Sequence, residues 1–444
     1  MIAIWSFFTD PVLQAPTIGS MLLSTAAALV GVIAFVRRQS LVGEVLSHAS
    51  YPGIVLAVLF LAFFFPSAGD FLWIFVLFGA LIFSLLGAFL LALIQRKLRV
   101  NNDASLCLIL SSFLGIGVLL SSRLQIVHPK WFGEVQVFLC GQAATMRDDH
   151  LYLYGALLVA ILAMVILFFE QIRISSFDRY YAKLNGIYLS WIDAIIMAFF
   201  ALAVIMGVRG VGIVLIAGML VAPAIAARSL THRLSRMFII AAIIGAASGF
   251  GGNVMSVYLS YFLMDRYPGW RVSLPTGPMI VSFAALIVFV TTLIAPREGL
   301  FVRLGRIVYF RFRCFRENIL KFLWKRKGGG VSFVEIHQAH HTSSIFLWLI
   351  LQTLKIEKNI ERSSGSQYYL LPKGKERADH IVRLHRLWEL YLHRHLGISG
   401  EKVHSEAEEM EHIITPEIEK ELIELLDNPA TDPHNQPIPK KGSD

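Results

Sequence analysis

The sequence predicts an all-α polytopic membrane protein of about nine transmembrane helices, followed by a small α/β winged-helix domain with additional helices, and three observations predict it. Of the 444 residues 56% are hydrophobic and only 16% charged, with a mean hydropathy of +0.62, too apolar for a water-soluble enzyme of this length. About nine apolar runs of roughly 20 residues precede Leu300, each long enough to cross a bilayer core as a helix. After Ala295 the character changes, first to a basic stretch and then to an ordinary soluble composition rich in Glu.

The runs are Thr17–Val36, Leu41–Phe65, Phe71–Ile94, Ala104–Leu120, Leu151–Glu170, Gly186–Met206, Gly210–Ala227, Met237–Leu263 and Leu274–Ala295. Met1–Pro16 has no basic region and no obvious cleavage site, so the first run reads as a retained span and not a signal peptide. Basic residues follow alternate runs: Arg37 and Arg38; Arg96, Lys97 and Arg99; Arg173, Arg179 and Lys183; Arg228, Arg233 and Arg236; Arg297, Arg303 and Arg306. Cytoplasmic loops carry the excess of Lys and Arg, which predicts an external N-terminus and a cytoplasmic C-terminal region. Ser121–His150, with Trp131, Phe132 and Gly133, is too broken for a span and reads as an external or re-entrant loop. Cys107, Cys140 and Cys314 lie far apart and offer neither a disulfide framework nor a CxxC knuckle.

Arg303, Arg306, Arg311, Arg313, Arg316, Lys321, Lys325, Arg326 and Lys327 form a basic juxtamembrane stretch that reads as an anchor against anionic lipid. From Val331 helical patterns run to about Arg362, and a turn at 363–366 separates short strand-like pieces ending at Leu371. A helix is expected over Lys375–His395, broken by Gly397 and Gly400, and another over Val403–Glu411. That order outlines a winged helix-turn-helix, and divides the chain at 1–299, 300–330 and 331–444.

Two groups of residues carry chemistry. Glu44 and His48 stand four apart at the start of the second span, so their side chains share a helix face where a carboxylate and an imidazole suit a divalent transition metal. Ionisable groups in a span are costly and mark function by default; a carboxylate near the interface and a His bonded to a neighbouring helix is the structural alternative. Pro52 and Gly53 favour unwinding nearby, which would free carbonyls to line a path. In the tail, His404, Glu408, Glu411 and His412 fall at i, i+4, i+7 and i+8, and His385 and Glu389 form a second i, i+4 pair. Mixed His and Glu donors suit iron, manganese or zinc better than calcium; a solvated acidic helix with incidental histidines is the plainer reading. No GxxxxGK[ST] loop occurs, so the chain is not an ATPase.

The stretch LVGEVLSHASYPGI resembles the second span of metal-type ABC permeases, which usually have Asp at the place of Glu44. Three further stretches fit that family: Asn102-Asp103-Ala-Ser-Leu, Phe177-Asp178-Arg-Tyr-Tyr-Ala182-Lys-Leu-Asn-Gly186, and the run from Gly210 to Arg228. The resemblance implies an importer of manganese, iron or zinc in the cell inner membrane. Its partners are an external metal-binding protein, a second permease subunit and a cytoplasmic ATPase that docks on Phe177, Asp178, Ala182 and Gly186. Glu44 and His48 match the residues that line the ion path, and Glu in place of Asp keeps the oxygen donor but lengthens its reach.

The tail resembles the iron-dependent, diphtheria-toxin-repressor-like metalloregulators over Tyr369-Leu-Leu-Pro-Lys-Gly-Lys-Glu-Arg-Ala-Asp, His385-Arg-Leu-Trp-Glu389, Val403–His412 and Asn428–Pro439. That implies a helical metal-binding and dimerisation region. Glu408, Glu411 and His412 fall on the primary metal site, and His385, Glu389 and His404 on the ancillary one. The remaining primary ligand comes from the family's first helix, near Glu317 or Asn318. Ser343–Leu354 takes the place of the recognition helix, where polar side chains should reach base edges in operator DNA; its apolar run suits a buried helix equally, and the nearby basic residues suit lipid as well as phosphate. A tail that regulates the permease without binding DNA is the alternative, and a tail that does bind DNA would need release near Arg316–Gly330.

Overall fold

A computed structural model describes residues 4–64, 72–141, 143–267, 273–296, 299–363, 365–398, 408 and 410–439. It divides into two compact units, Met1–Val302 and Arg303–Asp444.

The first unit is helical throughout its described residues. In order come α1 (Ser6–Thr9), α2 (Pro11–Val36), α3 (Val42–Phe64), α4 (Leu72–Lys97), α5 (Asn102–Val127), α6 (Pro129–Cys140), α7 (Asp148–Leu167), α8 (Phe169–Phe177), α9 (Arg179–Leu184), α10 (Leu189–Val211), α11 (Ile216–Leu230), α12 (Leu234–Arg266) and α13 (Thr276–Ile294). Among the described residues eight of these are long and apolar enough to cross a bilayer. Each of the nine expected runs overlaps a helix, but the seventh differs: Gly212, with φ of 100°, ends α10, and α11 begins only at Ile216. At 1.5 Å per residue this 15-residue helix reaches about 22 Å, short of a hydrocarbon core of about 30 Å. The break is stabilised where the Ile213 N–H donates to the Phe138 carbonyl at 3.1 Å, as non-helical backbone at membrane depth requires. The segment expected as an irregular loop is also more ordered than its sequence suggests, since α5 runs on to Val127 and α6 follows from Pro129.

α2 and α3 are mostly buried, whereas α4, α5, α7 and α13 keep broad apolar faces outward. Small residues let the central helices approach. A Cβ at Gly31 would stand 1.8 Å from the Leu220 carbonyl oxygen of α11, and one at Gly53 would stand 2.2 Å from the Gly79 carbonyl oxygen of α4. Asn253 of α12 donates to the Pro16 carbonyl at 3.1 Å and to Ser20 Oγ at 2.5 Å, satisfying a buried amide between α12 and α2.

The second unit opens within α14 (Leu300–Lys325) and continues through β1 (Val331–Ser332), α15 (Phe333–His340), α16 (Ser344–Ile356), β2 (Ile360–Arg362), β3 (Gln367–Leu370), α17 (Pro372–Leu396) and α18 (Pro416–Leu425). The three strands form one antiparallel sheet in the order β1-β3-β2, with Val331 opposite Tyr368 and Ile360 opposite Leu370. Two-residue β1 carries too little pattern to be read from sequence. A capping box starts α15: Ser332 Oγ accepts from the Glu335 N–H at 3.3 Å and the Ser332 N–H donates to Glu335 Oε2 at 2.9 Å. Ile319, Leu320 and Leu323 of α14 pack with Ile336, Leu347, Ile350, Leu354, Ile360 and Tyr368 into one core. The stretch read as a lipid anchor thus supplies, in its second half, the first helix of the winged domain.

Candidate metal sites

Glu44 and His48 lie one turn apart on α3. Glu44 is half-buried, and His48 is 6% exposed with Nδ1 lacking any hydrogen-bond partner among the described residues. The expected unwinding at Pro52 is absent, for α3 runs unbroken from Val42 to Phe64. Proline nevertheless has no N–H to give, and the carbonyl it deprives, four residues back, is that of His48. One residue therefore carries a buried ring nitrogen without a partner among the described residues and a carbonyl denied its usual helical donor. Neighbouring hydroxyls turn to their own backbone: Ser47 Oγ donates to the Glu44 carbonyl at 2.8 Å and Ser50 Oγ to the Ser47 carbonyl at 2.6 Å.

Within Phe177–Gly186, α9 (Arg179–Leu184) forms a short, well-tied helix after the end of α8 at Phe177. Asp178 caps α9 by accepting from the Tyr180 and Tyr181 N–H groups at 3.0 and 2.9 Å, and Gly186 leaves it at φ of 72°. Ala182 is fully buried, while Phe177, Tyr180, Tyr181 and Leu184 stand exposed. Asp193 of α10 joins two arginines: Arg37 Nη1 donates to Oδ1 at 2.6 Å and Arg179 pairs with Oδ2. No motif singled out Asp193, which sits in an apolar run with nothing to mark its partners.

In the second unit α14 and α17 bring charged groups together. His385 sits between two carboxylates, its Nε2 3.0 Å from Glu389 Oε1 and its Nδ1 2.5 Å from Glu411 Oε2. Burial pulls the His385 pKa down, but the two carboxylate bonds outweigh it and raise it above the ordinary value. Burial likewise pushes the Glu411 carboxyl up, and is outweighed by His385 and Lys321, which hold it below the usual range. Lys321, itself 5% exposed, donates to Glu411 Oε2 at 2.7 Å and lies 3.2 Å from His385 Nδ1 and 3.8 Å from Glu408 Oε1. On the far side His412 Nδ1 donates to Glu317 Oε2 at 2.6 Å, which fixes the ring and leaves Nε2 facing Glu411 Oε1 at 3.7 Å. Neither of those two atoms has a hydrogen-bond partner among the described residues.

Of the expected regulatory ligands, His385, Glu389, Glu411 and His412 are thus gathered, Glu408 is half-open to solvent beside Lys321, and His404 lies outside the described residues. Glu317, and not Asn318, is the first-helix residue that reaches His412. Among the described residues no three His, Cys, Asp or Glu side chains form a ready metal cage. The fit is divided: Glu411 Oε1 and His412 Nε2 converge as a carboxylate-oriented imidazole pair suited to a metal, whereas the His385 side already surrounds an ammonium. Lys321 was missed because a lysine among so many basic residues carries no distinguishing signal.

Comparison with known proteins finds relatives for both parts of the chain. The sequence profile of the ABC 3 transport family matches residues 9–295, and that of the iron dependent repressor metal binding and dimerisation domain matches residues 371–440. A probable metal transport system membrane protein of Chlamydia trachomatis is 35% identical over 98% of this chain and 97% of its own. The manganese transport system membrane protein MntC of Bacillus subtilis is 29% identical over 90% of this chain and 88% of its own. The zinc transport system membrane protein TroC of Treponema pallidum is 32% identical over 69% of this chain and 96% of its own. With a bundle of apolar helices ahead of a repressor-like tail, the chain belongs to the ABC 3 transport family, as a metal-transport permease subunit and not an enzyme, with an iron-dependent-repressor domain at its C-terminus.

Proposed function

We propose that this chain forms the path for a divalent transition metal, of the manganese or zinc class, through the cell inner membrane, with Glu44 and His48 on that path. The observation that carries the reading is His48 itself, buried within an apolar helix with Nδ1 lacking a hydrogen-bond partner among the described residues, one turn from a carboxylate. The relatives named for manganese and zinc transport support the choice of metal class. Asp178, Ala182 and Gly186 shape α9, whose exposed Tyr180 and Leu184 dock, with Phe177 just ahead of it, on a separate ATPase subunit, and an external binding protein delivers the ion. Basic residues after alternate spans support an external N-terminus and a cytoplasmic tail. The test is uptake of manganese, zinc and iron, each alone, by vesicles holding the chain with its ATPase and binding protein. Loss of uptake in His48→Ala and Glu44→Ala with assembly intact is expected; unchanged uptake would overturn the reading.

The tail senses the same ion through Glu411 and His412, with Glu408 on the same face and His385 and Glu389 behind them. Regulation of the transporter in place is favoured by α16, whose open face carries Ile345, Trp348, Leu349 and Ile356 where a base-reading helix carries polar side chains. Operator binding is the second reading, supported by the winged-helix order of elements. Metal-dependent, salt-sensitive retardation of an operator-like fragment would decide for DNA. Proteolytic release between Leu323 and Gly330 would strip Ile319, Leu320 and Leu323 from the core, and a cut nearer Arg316 would still remove Phe312 and Phe315, which pack against it, so a released tail that keeps its whole core requires a cut ahead of Phe312.

A further inference from the structure

The ancillary half of the cluster is filled by the chain itself. Lys321 Nζ lies 2.7 Å from Glu411 Oε2 and 3.2 Å from His385 Nδ1, and His385 Nε2 lies 3.0 Å from Glu389 Oε1. Those are hydrogen-bond spacings, and they place the Lys321 ammonium against the two side chains, His385 and Glu411, that a metal ion there would need as ligands. The lysine cannot swing clear without cost, because Ile319, Leu320 and Leu323 on either side are locked in the domain core. A divalent ion entering there would meet an ammonium already bonded to one of its ligands, and the two cations repel.

We propose that Lys321 serves as a built-in cation in place of a metal ion, holding α14 against α17 through Glu411 and His385 whether or not metal is present. The proposal rests on the tail being a repressor-type domain, and it deepens the sensing reading: metal response is confined to the Glu411 Oε1 and His412 Nε2 side, while the His385 side is permanently satisfied. Replacing the ammonium by a neutral chain of similar length leaves His385, Glu389 and Glu411 gathered without it, and a divalent ion can then enter by displacing the His385 proton.

The test is amide hydrogen exchange of the full chain in lipid nanodiscs, with EDTA or with manganese chloride, comparing wild type, Lys321→Met and Lys321→Arg. In wild type the protection of α17 over Ile381–Leu392 is expected to be the same with EDTA and with manganese. In Lys321→Met it is expected to fall at least tenfold in EDTA and to recover with manganese, while Lys321→Arg behaves as wild type. A wild-type α17 that loses protection on chelation, or a Lys321→Met chain that keeps full protection in EDTA, overturns the proposal. So does a Lys321→Met chain that stays unprotected with manganese. Protection near Glu411–Ile414 is read in the same data, and its failure to respond to manganese would count against the sensing reading without touching the role of Lys321.

Discussion

Arg37 and Asp193 meet at 2.6 Å between the end of α2 and the start of α10, with Arg37 Nη2 also donating to Ser175 Oγ at 2.8 Å. The arginine side chain is 9% exposed and the aspartate 31%. Asp193→Ala would leave a nearly buried guanidinium without its carboxylate, at a cost of about 1–3 kcal/mol. It would also release Arg179, and with it one tie to the helix bearing Tyr180. The solubilised Asp193→Ala chain should melt at lower temperature and transport less metal per ATP consumed; an unchanged melting point would show that the pair is dispensable.

Helix contacts that admit no side chain give a contrasting pair of substitutions. At Gly31 a methyl group would collide with the Leu220 carbonyl oxygen, whereas at Gly115 a Cβ meets nothing within 4 Å. Gly31→Ala forces backbone apart and should cost about 1–3 kcal/mol or more, seen as poor recovery of folded chain in detergent. Gly115→Ala should be recovered like wild type.

The cap on α9 is open to a quieter test. Asp178→Ala removes the acceptor for two N–H groups, worth about 0.5–2 kcal/mol of local helix stability. Asp178→Asn should preserve most of it. The expected result is weaker ATPase association and lower uptake for Asp178→Ala, with metal binding to the permease unaffected and Asp178→Asn close to wild type.

Opposite shifts on His385 and Glu411 define a pH window for the tail. The groups facing them are Lys321 and Glu389, with Glu408 beside Lys321. Glu411, held low, contributes stability that is present above the ordinary carboxylate range, about 4.3, and is lost as pH falls through its lower folded value. His385, held high, contributes stability that is complete below about pH 6.5 and is lost as pH rises through its raised folded value. Exchange protection of α17, corrected for intrinsic rates, should therefore decline on raising the pH from 6 to 9. His385→Asn should abolish that decline; a wild-type profile without it would count against a charged His385.

Much of this was legible in sequence because hydropathy and charge act over long stretches. Nine apolar runs overlap nine helices, and Glu44 and His48 share a face because a helix repeats every 3.6 residues. What was not legible depends on single residues or on contacts far apart in the chain. Gly212 halts α10 inside an apolar run that hydropathy reads as continuous. Pro52 bends expectation the other way, since the buried packing around it, over Val45–Val55, keeps it helical. The pairings Glu317 with His412 and Lys321 with Glu411 join positions 95 and 90 residues apart, and local pattern says nothing about such meetings.

Because Ile319, Leu320 and Leu323 belong to the core that Ile336, Leu354 and Tyr368 complete, the order of synthesis leaves this helix waiting. The spans ahead of it leave the ribosome first, and its apolar stripe has no partners until the strands that follow have been made. A transcript that ends early would yield a chain whose spans are complete but whose last helix stays sticky and exposed, the kind of signal that cellular quality control reads. Completion of the tail is thereby what covers the last helix of this chain.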